Sequence, residues 1–132
     1  MRSSALRWCM TGVVAALMTG AGLWLLPSRY ALDSYAMLLA LIAGISLGAA
    51  LWQRDRRSLA REAVAAGACG MLALLGQWVS PQFLVLGYLA HGVWDVLHGM
   101  RIIGTPLKTW WPPFCLCYDW ILAAVIYARW VR

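Results

Sequence analysis

The chain has 132 residues, 63% hydrophobic and 12% charged, with a net charge of +6. A soluble domain carries about twice that charged fraction, and the apolar residues here fall in runs too long for a small water-soluble core to hide. The basic residues stand at the ends of those runs, not among exposed aromatics, which excludes a nucleic-acid face and leaves membrane lipids as the expected partner.

Five apolar segments follow one another. The first runs from about Trp8 to Leu26 and stops at Pro27. A short basic stretch, Met1–Trp8, precedes it, as in a signal peptide, but the run is longer than a signal core and no small-x-small site follows, so it reads as an uncleaved first helix. The second runs Tyr35–Trp52 and the third Ala63–Val79, both rich in small residues that let helix backbones approach. Ser80-Pro81-Gln82 breaks the chain, because proline cannot continue the hydrogen-bond ladder. The fourth segment, Phe83–Met100, must then lie antiparallel to the third. The fifth runs Phe114–Trp130, after a loop with Trp110-Trp111-Pro112-Pro113. Prolines suit the start of a helix, and the loop reads as an interfacial anchor, with a lid over the site as the functional alternative. The segments are short for spans, which predicts a thin apolar belt.

The expectation is one domain, residues 1–132: an all-α integral membrane protein, a compact bundle of five transmembrane helices. With the N-terminus inside, the inner side receives Arg2, Arg7, Arg54, Arg56, Arg57, Arg61, Arg101 and Lys108, and the outer side Arg29, Arg129 and Arg132. That bias places the N-terminus in the cytoplasm and the C-terminus outside, in a membrane of the bacterial inner type. Gln53–Glu62 then reads as a basic cytoplasmic loop that sets topology. Trp8, Trp24, Trp52, Trp78, Trp110, Trp111 and Trp130 fall near segment ends as an aromatic belt. Cys9, Cys69, Cys115 and Cys117 read as small buried hydrophobes. Cys115 and Cys117 diverge by about 200° on a helix, so a disulfide framework is not expected.

Chemistry gathers on the last two segments. With about 100° per residue, Tyr88, His91, Trp94, Asp95 and His98 form one stripe of the fourth helix, and Gly92 and Gly99 lie beside it where a neighbour can approach. Val93, Val96 and Leu97 cover the opposite side. On the fifth, Cys115 and Asp119 share a face, with Tyr118 flanking it. Asp95 and Asp119 each fall about 8 Å inside the cytoplasmic edge, with His98 and Cys115 nearer the cytoplasm and His91 one turn deeper. Gln77, near the outer end, lies outside this group.

An ionisable residue in hydrocarbon is a functional-site candidate. Three readings compete: a divalent-metal site of the zinc or iron type on His91, Asp95 and His98 with Asp119 or Cys115; acid–base chemistry by the two carboxyls with the histidines as shuttles; and polar glue between helices. Haem is disfavoured, because His91 and His98 lie about 10 Å apart along one helix. The candidate catalytic residues are Asp95, Asp119, His91 and His98; the candidate substrate-binding residues are Tyr88, Trp94, Tyr118 and Trp111. The leading expectation is a metal-dependent or acid–base enzyme acting on a lipophilic substrate. A proton- or cation-coupled transporter working as a homodimer, and an accessory subunit of a membrane complex, are the alternatives.

Overall fold

The computed structural model describes residues 2–102 and 107–132. Five helices follow in order: α1 (Arg2–Trp24), α2 (Ser28–Gln53), α3 (Arg56–Trp78), α4 (Gln82–Gly99) and α5 (Trp111–Trp130). Four of them, α1, α2, α3 and α5, are long and apolar enough to cross a membrane. The remaining helix, α4, holds 18 residues and carries Gln82, His91, Asp95 and His98.

Most helices begin earlier than their apolar runs. Proline and capping chemistry decide where a helix starts, whereas hydropathy reports only where it enters lipid. Pro27 caps α2, and the Ala31 amide donates to its carbonyl at 3.1 Å. Asp55 caps α3: its carboxylate accepts from the amides of Arg57 (3.3 Å) and Ser58 (3.0 Å) and from the Ser58 hydroxyl (2.6 Å). Arg54, in the left-handed region at φ 58°, closes α2 just before it. The expected basic loop Gln53–Glu62 is therefore corrected. Only Arg54 and Asp55 lie outside helices, and Arg56–Glu62 form the first turns of α3. Pro112 and Pro113 stand in the first turn of α5.

In the bundle α5 lies between α1 and α4, α4 between α5 and α3, and α2 against α3, with lighter contacts from α2 to α4 and α1. The surface is apolar and the interior partly polar, the reverse of a soluble protein. Trp52 is 90% exposed and Met18, Met37, Val64 and Trp78 are also largely exposed, while Ser46, Ser58, Glu62, His91, Asp95, His98 and Asp119 are buried. Large aliphatic residues gain nothing by leaving lipid, so small residues such as Ala16, Ala36, Ala43 and Ala123 fill much of the core and bring helices close.

One link was not expected. Cys9 of α1 is joined to Cys117 of α5 by a disulfide, which corrects the reading of four unpaired cysteines. The divergence of Cys115 from Cys117 is the reason. Cys115 is buried on the side that carries Asp119, so Cys117 turns the other way, toward α1. Gly12, one turn beyond Cys9, permits this approach, since a Cβ there would run into the Phe114 carbonyl oxygen. Cys69 and Cys115 are free and buried.

Candidate functional site

The buried face of α4 comprises Leu84, Gly87, Tyr88, His91, Gly92, Asp95 and His98, at the 3- and 4-residue steps of one helical stripe. The buried face of α5 carries Cys115, Asp119, Leu122 and Ile126. The two faces meet. Trp120 of α5, half exposed, lies against Gly92 of α4, where a Cβ would stand 2.5 Å from the indole nitrogen. Glycine at this position lets the helices close to that distance.

The meeting brings three ligand-type side chains together. His91 Nδ1 lies 2.7 Å from Asp119 Oδ2 and 3.3 Å from Asp95 Oδ2. One ligand atom from each falls within 4.8 Å of the others. Asp95 and Asp119 are 0% exposed and His91 is 2% exposed. A single Nδ1–H serves the nearer oxygen, on Asp119, so both oxygens of Asp95 lack a hydrogen bond, as do Asp119 Oδ1 and His91 Nε2. Each such buried polar atom costs about 1–3 kcal/mol, and more when charged. Two carboxylates in a dehydrated site also repel each other. A cation among these atoms, whether proton or metal ion, would offset both costs. Compared with models of known protein families, with curated proteins and with solved structures, the chain matches none.

The other candidates fall elsewhere. His98 stands apart from the trio and meets Glu62 of α3, its Nε2 at 2.8 Å from Glu62 Oε1. Trp94 donates its indole N–H to Glu62 Oε2 at 3.1 Å. Cys115 is buried on the face that carries Asp119 but is not one of the clustered ligands. The Tyr88 hydroxyl donates to the Tyr35 carbonyl at 2.7 Å, tying α4 to α2, and the Tyr118 hydroxyl donates to Thr19 Oγ1 at 3.2 Å, tying α5 to α1. Both are engaged in helix–helix contacts. Trp111 packs near Phe114 and Trp110, and its buried indole N–H lacks a partner. Trp110 rests near Trp8 of α1. Of the loop before α5, read as an interfacial anchor or a lid, residues 103–106 lie outside the described residues. Gln77 donates to Asp33 at 3.2 Å, linking α3 to α2.

The sequence reading missed Glu62. Hydropathy places it in a loop, yet it is 1% exposed and belongs to the buried stripe Ser58, Glu62, Cys69, Ala73, Gly76 of α3. The signal was present: an aspartate N-cap at position 55 starts the helix early enough to put Glu62 on that face.

Proposed function

We propose that this chain is a multi-pass membrane protein in which His91, Asp95 and Asp119 bind a divalent metal ion and use it for acid–base chemistry on a lipophilic substrate. All five helices span the bilayer in this reading. The helix α4 is carried across by its neighbours α3 and α5, with its polar stripe turned inward. The N-terminus faces the cytoplasm of a bacterial-type inner membrane, and the apolar outer surface meets lipid.

The observation that carries the reading is the trio of buried ligand atoms within 4.8 Å, with four of its polar atoms unpartnered. Imidazole with two carboxylates suits zinc or iron, and two carboxylates with a neutral imidazole balance a double positive charge. A bound divalent ion supplies Lewis acidity. Asp119 and His91 fix each other's orientation, and Asp95 is the residue with both oxygens available. Trp111, Cys115 and Asp119 stand at four-residue steps on one face of α5, so the unpartnered Trp111 N–H marks the side from which a substrate's polar group would enter. Elemental analysis of protein purified in detergent without chelators tests this. Zinc or iron should co-purify and be lost in Asp119→Ala; metal-free wild-type protein retaining function after chelator treatment ends the metal reading.

A second reading, a proton- or cation-coupled transporter, has one observation in its favour. Asp95 and Asp119 expose no surface, which suits a small cation better than an organic substrate. Proton flux in proteoliposomes under a pH gradient separates the two: the transporter requires flux that Asp95→Asn abolishes, and the enzyme requires none.

A further inference from the structure

We propose that the groove between α1 and α5 is a site for one anionic phospholipid, with an acyl chain along the groove and the phosphate on Arg129. This rests on the chain's lying in a bilayer and does not depend on the metal reading.

The hollow follows from the residues of the two helices. Gly20 and Ala21 of α1 and Ala124 and Ala128 of α5 are too small to fill the space beside them. With Leu17 and Trp24 of α1 they line an apolar groove of about 410 Å³. That volume lies within the ~300–1,000 Å³ of small-molecule sites. From Leu17 to Trp24 the groove follows α1 for about 10 Å. It opens on the outer surface of the bundle, where Ala21, Ala124 and Ala128 are exposed. It is separate from the trio of ligands, because Ala124 falls about 140° round α5 from the buried Asp119. In a bilayer, what such a surface meets is hydrocarbon chain.

Arg129 makes the groove selective for a headgroup. It follows Ala128 in the chain, and its guanidinium carbon lies 5.1 Å from the ring centre of Trp24, a groove residue, and 4.4 Å from that of Trp130. Its Nη1 donates to the Leu23 carbonyl at 3.1 Å and its Nη2 to the Leu26 carbonyl at 3.0 Å. These are carbonyls that the end of α1 leaves without helical partners. A guanidinium has five N–H donors, so donors remain after both bonds. Among the described residues no carboxylate pairs with this cation. A phosphate offers oxygens in the spacing that a guanidinium fork takes. Trp24 and Trp130 stand at the last residues of α1 and α5, the depth at which tryptophan meets headgroups. Arg29 and Arg132 lie at the same end of the bundle, and the acidic side chain there, Asp33, is engaged by Gln77. That end is therefore positive, and it complements an anionic lipid better than a zwitterionic one.

Native mass spectrometry of the full chain tests this. Protein purified in detergent and stripped of metal is titrated with phosphatidylglycerol or with phosphatidylcholine of identical acyl chains. One phosphatidylglycerol per chain should be retained, preferred about fivefold or more over phosphatidylcholine. Ala124→Leu, at an exposed position, fills the groove without touching Arg129 and should abolish that retention. Arg129→Gln should bring phosphatidylglycerol down to the level of phosphatidylcholine. Equal retention of the two lipids by wild type overturns the proposal, as does phosphatidylglycerol retained unchanged by Ala124→Leu. A dimer that Ala124→Leu dissociates also overturns it, since the occupant is then a second copy of the chain. Should Arg129→Gln fail to fold, the wild-type preference and Ala124→Leu decide.

Discussion

The Nδ1 of His91 faces two carboxylates and can donate its one hydrogen to only one of them. Asp119, at 2.7 Å, takes it, and Asp95 is left with two bare oxygens in a sealed interior. Such an arrangement is poor for stability and good for binding a cation. Asp95→Asn should therefore stabilise the metal-free protein, by about 1–3 kcal/mol, while abolishing metal uptake. Thermal unfolding in detergent with and without zinc checks this: the variant should melt higher than wild type without metal and gain nothing when zinc is added. A variant that melts lower without metal contradicts the account. At this scale much was legible. The 3.6-residue period alone placed His91 and Asp95 on one face, and the depth argument brought Asp119 beside them. His98 was grouped with them because its spacing fits, but spacing cannot reveal which neighbouring helix offers the better partner, and that partner is Glu62.

Helix starts were the least legible feature of the elements. Hydropathy finds the part of a helix that lipid covers, and the polar turns that precede it lie in water or inside the bundle. Asp55 caps α3 within such a turn. Hydrogen bonds from the Ser58 hydroxyl, the Ser58 amide and the Arg57 amide hold its carboxyl below the usual carboxylate range, with Arg61 adding a small electrostatic pull. A carboxyl lowered on folding contributes stability above its unfolded value and loses it as pH falls through the folded one. Asp55→Ala should lower the thermal midpoint near neutral pH, and the gap between variant and wild type should close only below the ordinary carboxylate range near 3.8. A gap that is constant down to strongly acidic pH contradicts the cap. The link between α1 and α5 is not legible in the sequence, because the spacing of Cys115 and Cys117 says nothing of Cys9, which is 108 residues from its partner. Non-reducing peptide mass spectrometry should recover a Cys9–Cys117 cross-linked peptide, with Cys69 and Cys115 alkylated after denaturation; free thiols at 9 and 117 contradict the bond.

For the whole molecule, composition alone indicated helices in lipid, and the inverted distribution of polar and apolar residues follows from that solvent. Large side chains face outward, while carboxylates and imidazoles turn inward, where another helix can answer them. Orientation rests on the basic bias and has its own test. Accessibility labelling of single cysteines in a Cys9→Ser/Cys117→Ser background should place residue 56 on the cytoplasmic side and residue 132 outside. The reverse result would put the Cys9–Cys117 bond on the oxidising side, where such bonds persist, and would overturn the N-in reading. The central claim is that a divalent ion binds among His91, Asp95 and Asp119. X-ray absorption at the zinc edge, on protein loaded with one equivalent, tests it most directly. The account predicts a first shell of nitrogen and oxygen at about 2.0–2.2 Å that disappears in Asp119→Ala; no bound zinc, or a sulfur shell at about 2.3 Å, would contradict it.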